Sequence, residues 1–176
     1  MKSLKKMLWL FLGLMVAFFL FLIWYQYKYA MYVVEPYEVN SPSLEKRLLI
    51  ATQGSDFKDM VTTGVVDYYR ADSIFIKVVD VTDLAEVDPD NFTAIVAIHN
   101  WEMWKPPVEV QTFMERTKKH AGKIIVLTTS GNGSYRMDGV DAITGESKLK
   151  NASLFMERII ERLNPLLNGK DLENGT

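Results

Sequence analysis

"KRLLIATQGSDFKDMVTTGVVDYYR", residues 46–70, changes its period halfway along. Residues 46–52 form a compact apolar run, suited to a strand covered on both faces. From Phe57 onward the apolar positions fall at three- and four-residue spacing, through Val61, Gly64, Val65 and Tyr68. Ser55 or Asp56 stands where an N-cap is needed, so the spacing predicts an amphipathic helix. Gly64 in its middle costs up to ~1 kcal/mol in propensity and implies close packing on a sheet. A buried strand feeding such a helix is half of a parallel crossover unit.

The alternation continues downstream. "SIFIKVVDV" (73–81), "FTAIVAIHN" (92–100) and "KIIVLTT" (123–129) read as strands, with a short fifth at "GVDAI" (139–143). "TDLAEVDPDN" is too short and proline-broken for a good helix, so a loop or single turn is expected there. A helix is expected from Pro106 or Pro107 through "VEVQTFMERTKKH", ended by Gly122 as a left-handed C-cap. Ala152, Phe155, Met156, Ile159, Ile160 and Leu163 make one apolar stripe of a last helix, which Asn164-Pro165 weakens. These elements predict an α/β domain over residues 46–167, a three-layer α/β/α architecture, and a polar tail at 168–176. Its five-stranded parallel sheet is expected in the order 2-1-3-4-5.

Upstream, "MLWLFLGLMVAFFLFLIWY" (7–25) runs 19 residues without a charge. As a helix it is roughly 28 Å long, close to the hydrocarbon thickness of a bilayer. Trp9 lies near one end and Trp24, Tyr25 and Tyr27 at the other, as interfacial aromatics do. Residues 1–28 are therefore expected to be a cytoplasmic tail and single-pass transmembrane anchor, and residues 29–45 an extended tether. Lys2, Lys5 and Lys6 outnumber Lys28, which puts the N-terminus in the cytoplasm and the domain outside it.

The whole chain has 20 basic and 22 acidic residues, but all the acids lie at or beyond Glu35. The part from Glu35 onward holds 16 of the basic residues and carries −6, which gives no general attraction for nucleic acid. Without cysteine there is no disulfide, zinc–thiolate site or thiol nucleophile. His99 and His120 have no matching ligand cluster, so no metal site is expected. There is no G-x-S-x-G elbow or complete P-loop, and no catalytic residue is assigned.

In an open parallel sheet, ligands bind beyond the carboxyl ends of the strands, at the switch in strand order. Three loops meet there: 52–58, 99–107 and 128–133. The first offers Thr52, Gln53, Gly54 and Ser55 at a helix start, a possible anion site. The second offers Asn100, Trp101 and Trp104, and the third Thr129, Ser130 and Gly131, for a flat ring and its edge.

On these residues, the stretch 46–166 resembles the flavodoxin superfamily, which binds FMN at these three loops. "TQGS" is similar to the T-x-T-G-x-T phosphate loop, keeping Gly54 but placing Gln53 and Asp56 where hydroxyls are usual. "WEMWKPPVEVQTF" (101–113) matches a W-x-x-x-x-P-P-x-x-V-x-x-F pattern of some members. A carboxylate about 4 Å from a phosphate costs about 4 kcal/mol per unit-charge pair, whereas Asp56 as an N-cap is favourable. "DAITGES" (141–147) is also similar to a covalent FMN-attachment motif, with Glu146 in place of alanine. There, Thr144 or Ser147 capping the last helix, with Gly145 in the turn, is the alternative. The resemblance implies a membrane-anchored domain that binds FMN and passes electrons to a membrane partner. The alternative is a cofactor-free binding or scaffold module.

Overall fold

The computed structural model describes residues 2–29, 31–102 and 104–168, so the tail from residue 169 lies outside the described residues. The chain divides into two compact units, Met1–Met31 and Tyr32–Thr176. The first holds one helix, α1 (Lys2–Tyr29). Its 25-residue stretch Ser3–Tyr27 is apolar enough to cross a membrane, and at roughly 37 Å it is long enough.

The second unit is built on a six-stranded sheet: β1 (Tyr37–Val39), β2 (Lys46–Thr52), β3 (Ile74–Asp80), β4 (Ala94–Asn100), β5 (Ile124–Thr129) and β6 (Ala142–Gly145). The order across the sheet is β1-β3-β2-β4-β5-β6. β2 to β6 pair in parallel, with Thr52 beside both Asp80 and Ile98, while β1 pairs antiparallel with β3. Helices α2 (Asp56–Tyr69) and α4 (Ala152–Leu167) share one layer. Their Phe57, Val61, Phe155, Ile159 and Leu163 join the core of Leu48, Ile50, Val96 and Leu127. On the opposite face, Val110 and Phe113 of α3 (Val108–Arg116) pack with Leu49, Ile95 and Val126. The mean period of each segment thus becomes its place in a three-layer sandwich.

The second crossover, between β3 and β4, holds only two 3-10 turns, Val81–Glu86 and Pro89–Asn91. Leu84 of the first turn enters the core beside Val79. Arg116 at the end of α3 donates to the carbonyls of Leu84 (2.6 Å) and Val87 (2.7 Å), tying that turn to the neighbouring helix.

Several expectations are corrected. The sheet has six strands, not five, and its full order differs from 2-1-3-4-5 by the antiparallel edge strand β1, which lies in the stretch read as a tether. β1 is short because Asn40 turns left-handed (φ 68°) just after it, its Nδ2 donating to Ile74 O at 2.8 Å. β6 begins three residues later than "GVDAI" suggested. Gly122 is not a left-handed cap: α3 stops at Arg116, where the Thr117 hydroxyl donates to Phe113 O at 2.6 Å, and Gly122 falls inside a 3-10 segment. Tyr69, not Tyr68, is the buried tyrosine of α2, because its hydroxyl reaches Asn164 Oδ1 of α4 at 2.9 Å. Gly64 makes room for a helix rather than the sheet, since a Cβ there would lie 2.4 Å from Met156 Sδ.

Candidate functional site

The carboxyl ends of β2, β4 and β5 bring the three loops together. β2 ends at Thr52 and α2 begins at Asp56, so only Gln53, Gly54 and Ser55 lie between them. Ser55 is the N-cap, its Oγ accepting from Lys58 N at 3.3 Å, and Asp56 is the first helical residue rather than the cap. The Gln53 amide donates to Ile98 O (3.2 Å), and Gln53 Oε1 accepts from Asn100 N (2.7 Å). Gln53 therefore ties β2 to β4 instead of facing an open crevice. Thr52 is buried, its hydroxyl donating to Gln53 O at 3.0 Å.

Gly54 is taken by the chain itself. Its amide donates to Tyr32 O (2.9 Å), and its carbonyl accepts from Tyr32 N (3.2 Å), a reciprocal antiparallel pair. A Cβ on Gly54 would lie 2.2 Å from the Tyr32 ring. The Tyr32 hydroxyl donates to Asp59 on the first turn of α2, and Val34 N donates to Asp80 Oδ2 at 2.9 Å. The segment from Tyr32 to Val34 is thus a strap across the phosphate-type loop. Little in "TQGS" itself could have shown this. Only the glycine, which leaves space for a close neighbour, pointed toward it.

The aromatic part of the site is also closed on itself. Trp101 stacks on Tyr135, ring centroids 5.2 Å apart and planes 17° from parallel. Trp101 N donates to Thr129 O at 2.8 Å, while its indole Nε1 is buried and finds no acceptor among the described residues. Trp104 does not join this pair: it is 77% exposed, on a turn closed by Glu102 and Lys105. Thr129 is buried, and its hydroxyl lies 3.3 Å from Asn100 Oδ1. Ser130 N donates to Gly145 O, and the Ser130 hydroxyl bonds Asn132. Gly131 is exposed, and Gly133 takes φ 69° in a tight turn whose Cβ position lies 3.0 Å from the Gly145–Glu146 backbone. The glycine-rich loop is therefore a packed turn. Thr144 lies within β6, and α4 is capped by neither Thr144 nor Ser147 but follows a 3-10 turn at Leu149–Asn151.

Two buried polar groups lie beneath the loops. Lys58 has no exposed surface, and burial, only partly offset by the Glu102 carboxylate, lowers its pKa to about 8. His99 is the penultimate residue of β4. It is fully buried, with Nε2 2.9 Å from Thr128 Oγ1 and Nδ1 3.5 Å from Asn100 O. Desolvation holds its pKa down at about 4, against the Asn100 carbonyl, with Lys58 adding to the lowering.

An FMN phosphate needs several convergent amides and a positive or neutral surround. Here two of the three loop amides are used internally, and Asp56 and Asp59 occupy the first turn of the helix. These residues do not fit a phosphate.

No protein-family model and no curated protein sequence matches the chain. Among solved structures it is similar to a flavodoxin from the domain Archaea, at 12% identity and a TM-score of 0.47, over 68% of this chain and 98% of that one. It is also similar to an NADPH-quinone reductase from P. pentosaceus, at 12% identity and a TM-score of 0.33, over 69% of this chain and 78% of that one. The five parallel strands, taken without β1, run β3-β2-β4-β5-β6, and on that order the chain carries a flavodoxin-like fold behind an apolar N-terminal helix.

Proposed function

We propose that this protein is a membrane-tethered, flavodoxin-like domain that works without a cofactor, as a non-enzymatic binding or scaffold module. α1 spans the membrane with its lysine-bearing end in the cytoplasm, and the domain stands on the other side. The observation that carries this reading is the Tyr32–Gly54 pair, which spends on the chain's own backbone the amide that a phosphate would need. Asp56 and Asp59 support it, because they place negative charge at the positive end of α2.

A second reading, a redox domain holding FMN or another flat ring, is favoured by one feature. Trp101 and Tyr135 lie parallel at the carboxyl ends of β4 and β5, with the indole N–H unpartnered beside them. A ring entering there would have to displace Tyr135 from Trp101.

Purified full-length protein in detergent, examined by visible absorption, separates the two. The expected result is a colourless protein, whereas a stoichiometric flavin band would support the redox reading. A reporter fused after Thr176 is expected to be active only if it folds outside the cytoplasm. Activity of a cytoplasm-only reporter would reverse the orientation.

A further inference from the structure

Trp104 holds a conformation that is costly for its residue type. It is a non-glycine residue at φ 61°, a left-handed geometry that large side chains rarely adopt. The Glu102 and Lys105 backbones exchange hydrogen bonds of 2.9 and 3.0 Å around it, which fixes the turn. The result is an indole presented at 77% exposure rather than buried. Strain that keeps an apolar side chain in water points to something outside the domain that the side chain meets.

Val33 is presented in a similar way. Both its neighbours are anchored, Tyr32 by the pair with Gly54 and Val34 by its amide bond to Asp80, so Val33 is held outward at 72% exposure. Val108, the first residue of α3, is 71% exposed. All three belong to the same end of the sheet. Trp104 and Val108 follow the carboxyl end of β4, the strap crosses the carboxyl end of β2, and those strands are neighbours.

Chain length says what covers this end. The apolar stretch closes at Tyr27 and the strap is pinned at Tyr32, five residues later. Even fully extended, five residues span at most about 18 Å. We propose that the carboxyl end of the sheet rests on the lipid surface, with Trp104 and Val33 as interfacial side chains; this depends on the reading that α1 spans the membrane. Trp is suited to that depth, having an apolar body and a polar N–H. The two residues that close its turn carry opposite charges, Glu102 acidic and Lys105 basic, and both are exposed. The surface therefore suits zwitterionic headgroups and needs no anionic lipid.

The chain has no cysteine, so single nitroxide labels can be placed on full-length protein reconstituted in phosphatidylcholine vesicles. Labels at Val33→Cys and Trp104→Cys are compared with Tyr68→Cys, a similarly exposed site at the far end of α2. The first two are expected to relax more with oxygen than with a water-soluble nickel chelate, and the third to show the opposite preference. Preferences at 33 and 104 equal to that at 68 would overturn the proposal while leaving the span intact. Labels shielded from both reagents would also overturn it, because a protein partner would then cover this end. Extraction of the protein from vesicles at alkaline pH would remove the span reading and the proposal with it.

Discussion

Phe155→Ala is expected to cost about 3–5 kcal/mol, measured as a shift of the urea unfolding midpoint without a change in slope. Phe155 joins three elements. It meets Phe57 of α2 edge-on, centroids 5.6 Å apart and planes at 81°, and it sits in the core shared with the sheet. It also fills the space left by Gly145 at the end of β6, where a Cβ would lie 2.2 Å from Phe155 Cζ. Truncation leaves a cavity bounded by helix and strand, which cannot collapse freely. The same contact makes an opposite prediction for the glycine. Gly145→Ala is expected to cost about 1–3 kcal/mol by overpacking a rigid ring. Combining the two substitutions should cost less than their sum, because the new methyl group enters the space that the ring vacates. Additive losses would mean that Gly145 and Phe155 are not coupled.

The second large effect is acid destabilisation through His99. Its pKa falls from the ordinary 6.5 to about 4 on folding, chiefly through desolvation. The folded state therefore favours the neutral ring, and between those two values the unfolded chain binds more protons. The His99 contribution is fully present above pH ~6.5 and is lost as pH falls toward 4, by about 3 kcal/mol in all. The geometry suits the neutral form: Nδ1 faces the Asn100 carbonyl, and Nε2 can accept from the Thr128 hydroxyl. His99→Gln keeps a bonding partner for Thr128 but does not titrate. Urea unfolding measured from pH 7.5 down to pH ~4 should show a steep decline in the parent that the glutamine variant largely lacks. Equal declines in the two proteins would assign the acid sensitivity to other groups. Lys58 acts in the same direction at higher pH. Its pKa is lowered to about 8, so stability gains further as pH rises from there toward the ordinary lysine value.

The parts of this fold that were legible in the sequence are those set by local period. The runs at 46–52 and 123–129 and the stripe from Ala152 to Leu163 became β2, β5 and α4, because burial on two faces or one face imposes its own spacing. What escaped depends on partners distant in sequence. Strand β1 is three residues of ordinary composition that pair only because β3 offers a free edge. Tyr68 and Tyr69 are indistinguishable by period, and the choice between them is made by Asn164, far along the chain. Lys58 sits at a position that reads as polar surface, yet it is fully buried. The candidate site was legible as a place but not as a state. The sequence located Gly54, Trp101 and Ser130 at the carboxyl ends of the strands, where the structure also has them. That Tyr32 covers the first of these, that Tyr135 stacks on the second and that Gly145 bonds the third were long-range facts.

The occupied phosphate loop is the point on which the functional reading turns, and FMN itself is the direct probe of it. Full-length protein in detergent is titrated into FMN while flavin fluorescence is followed, alongside a Tyr32→Gly variant that keeps the backbone but removes the ring lying over Gly54. No saturable quenching at micromolar concentrations is expected from either protein, because the Gly54 amide and both acidic residues of α2 remain in place. Saturable, stoichiometric quenching by the parent protein at micromolar concentrations would contradict the cofactor-free reading.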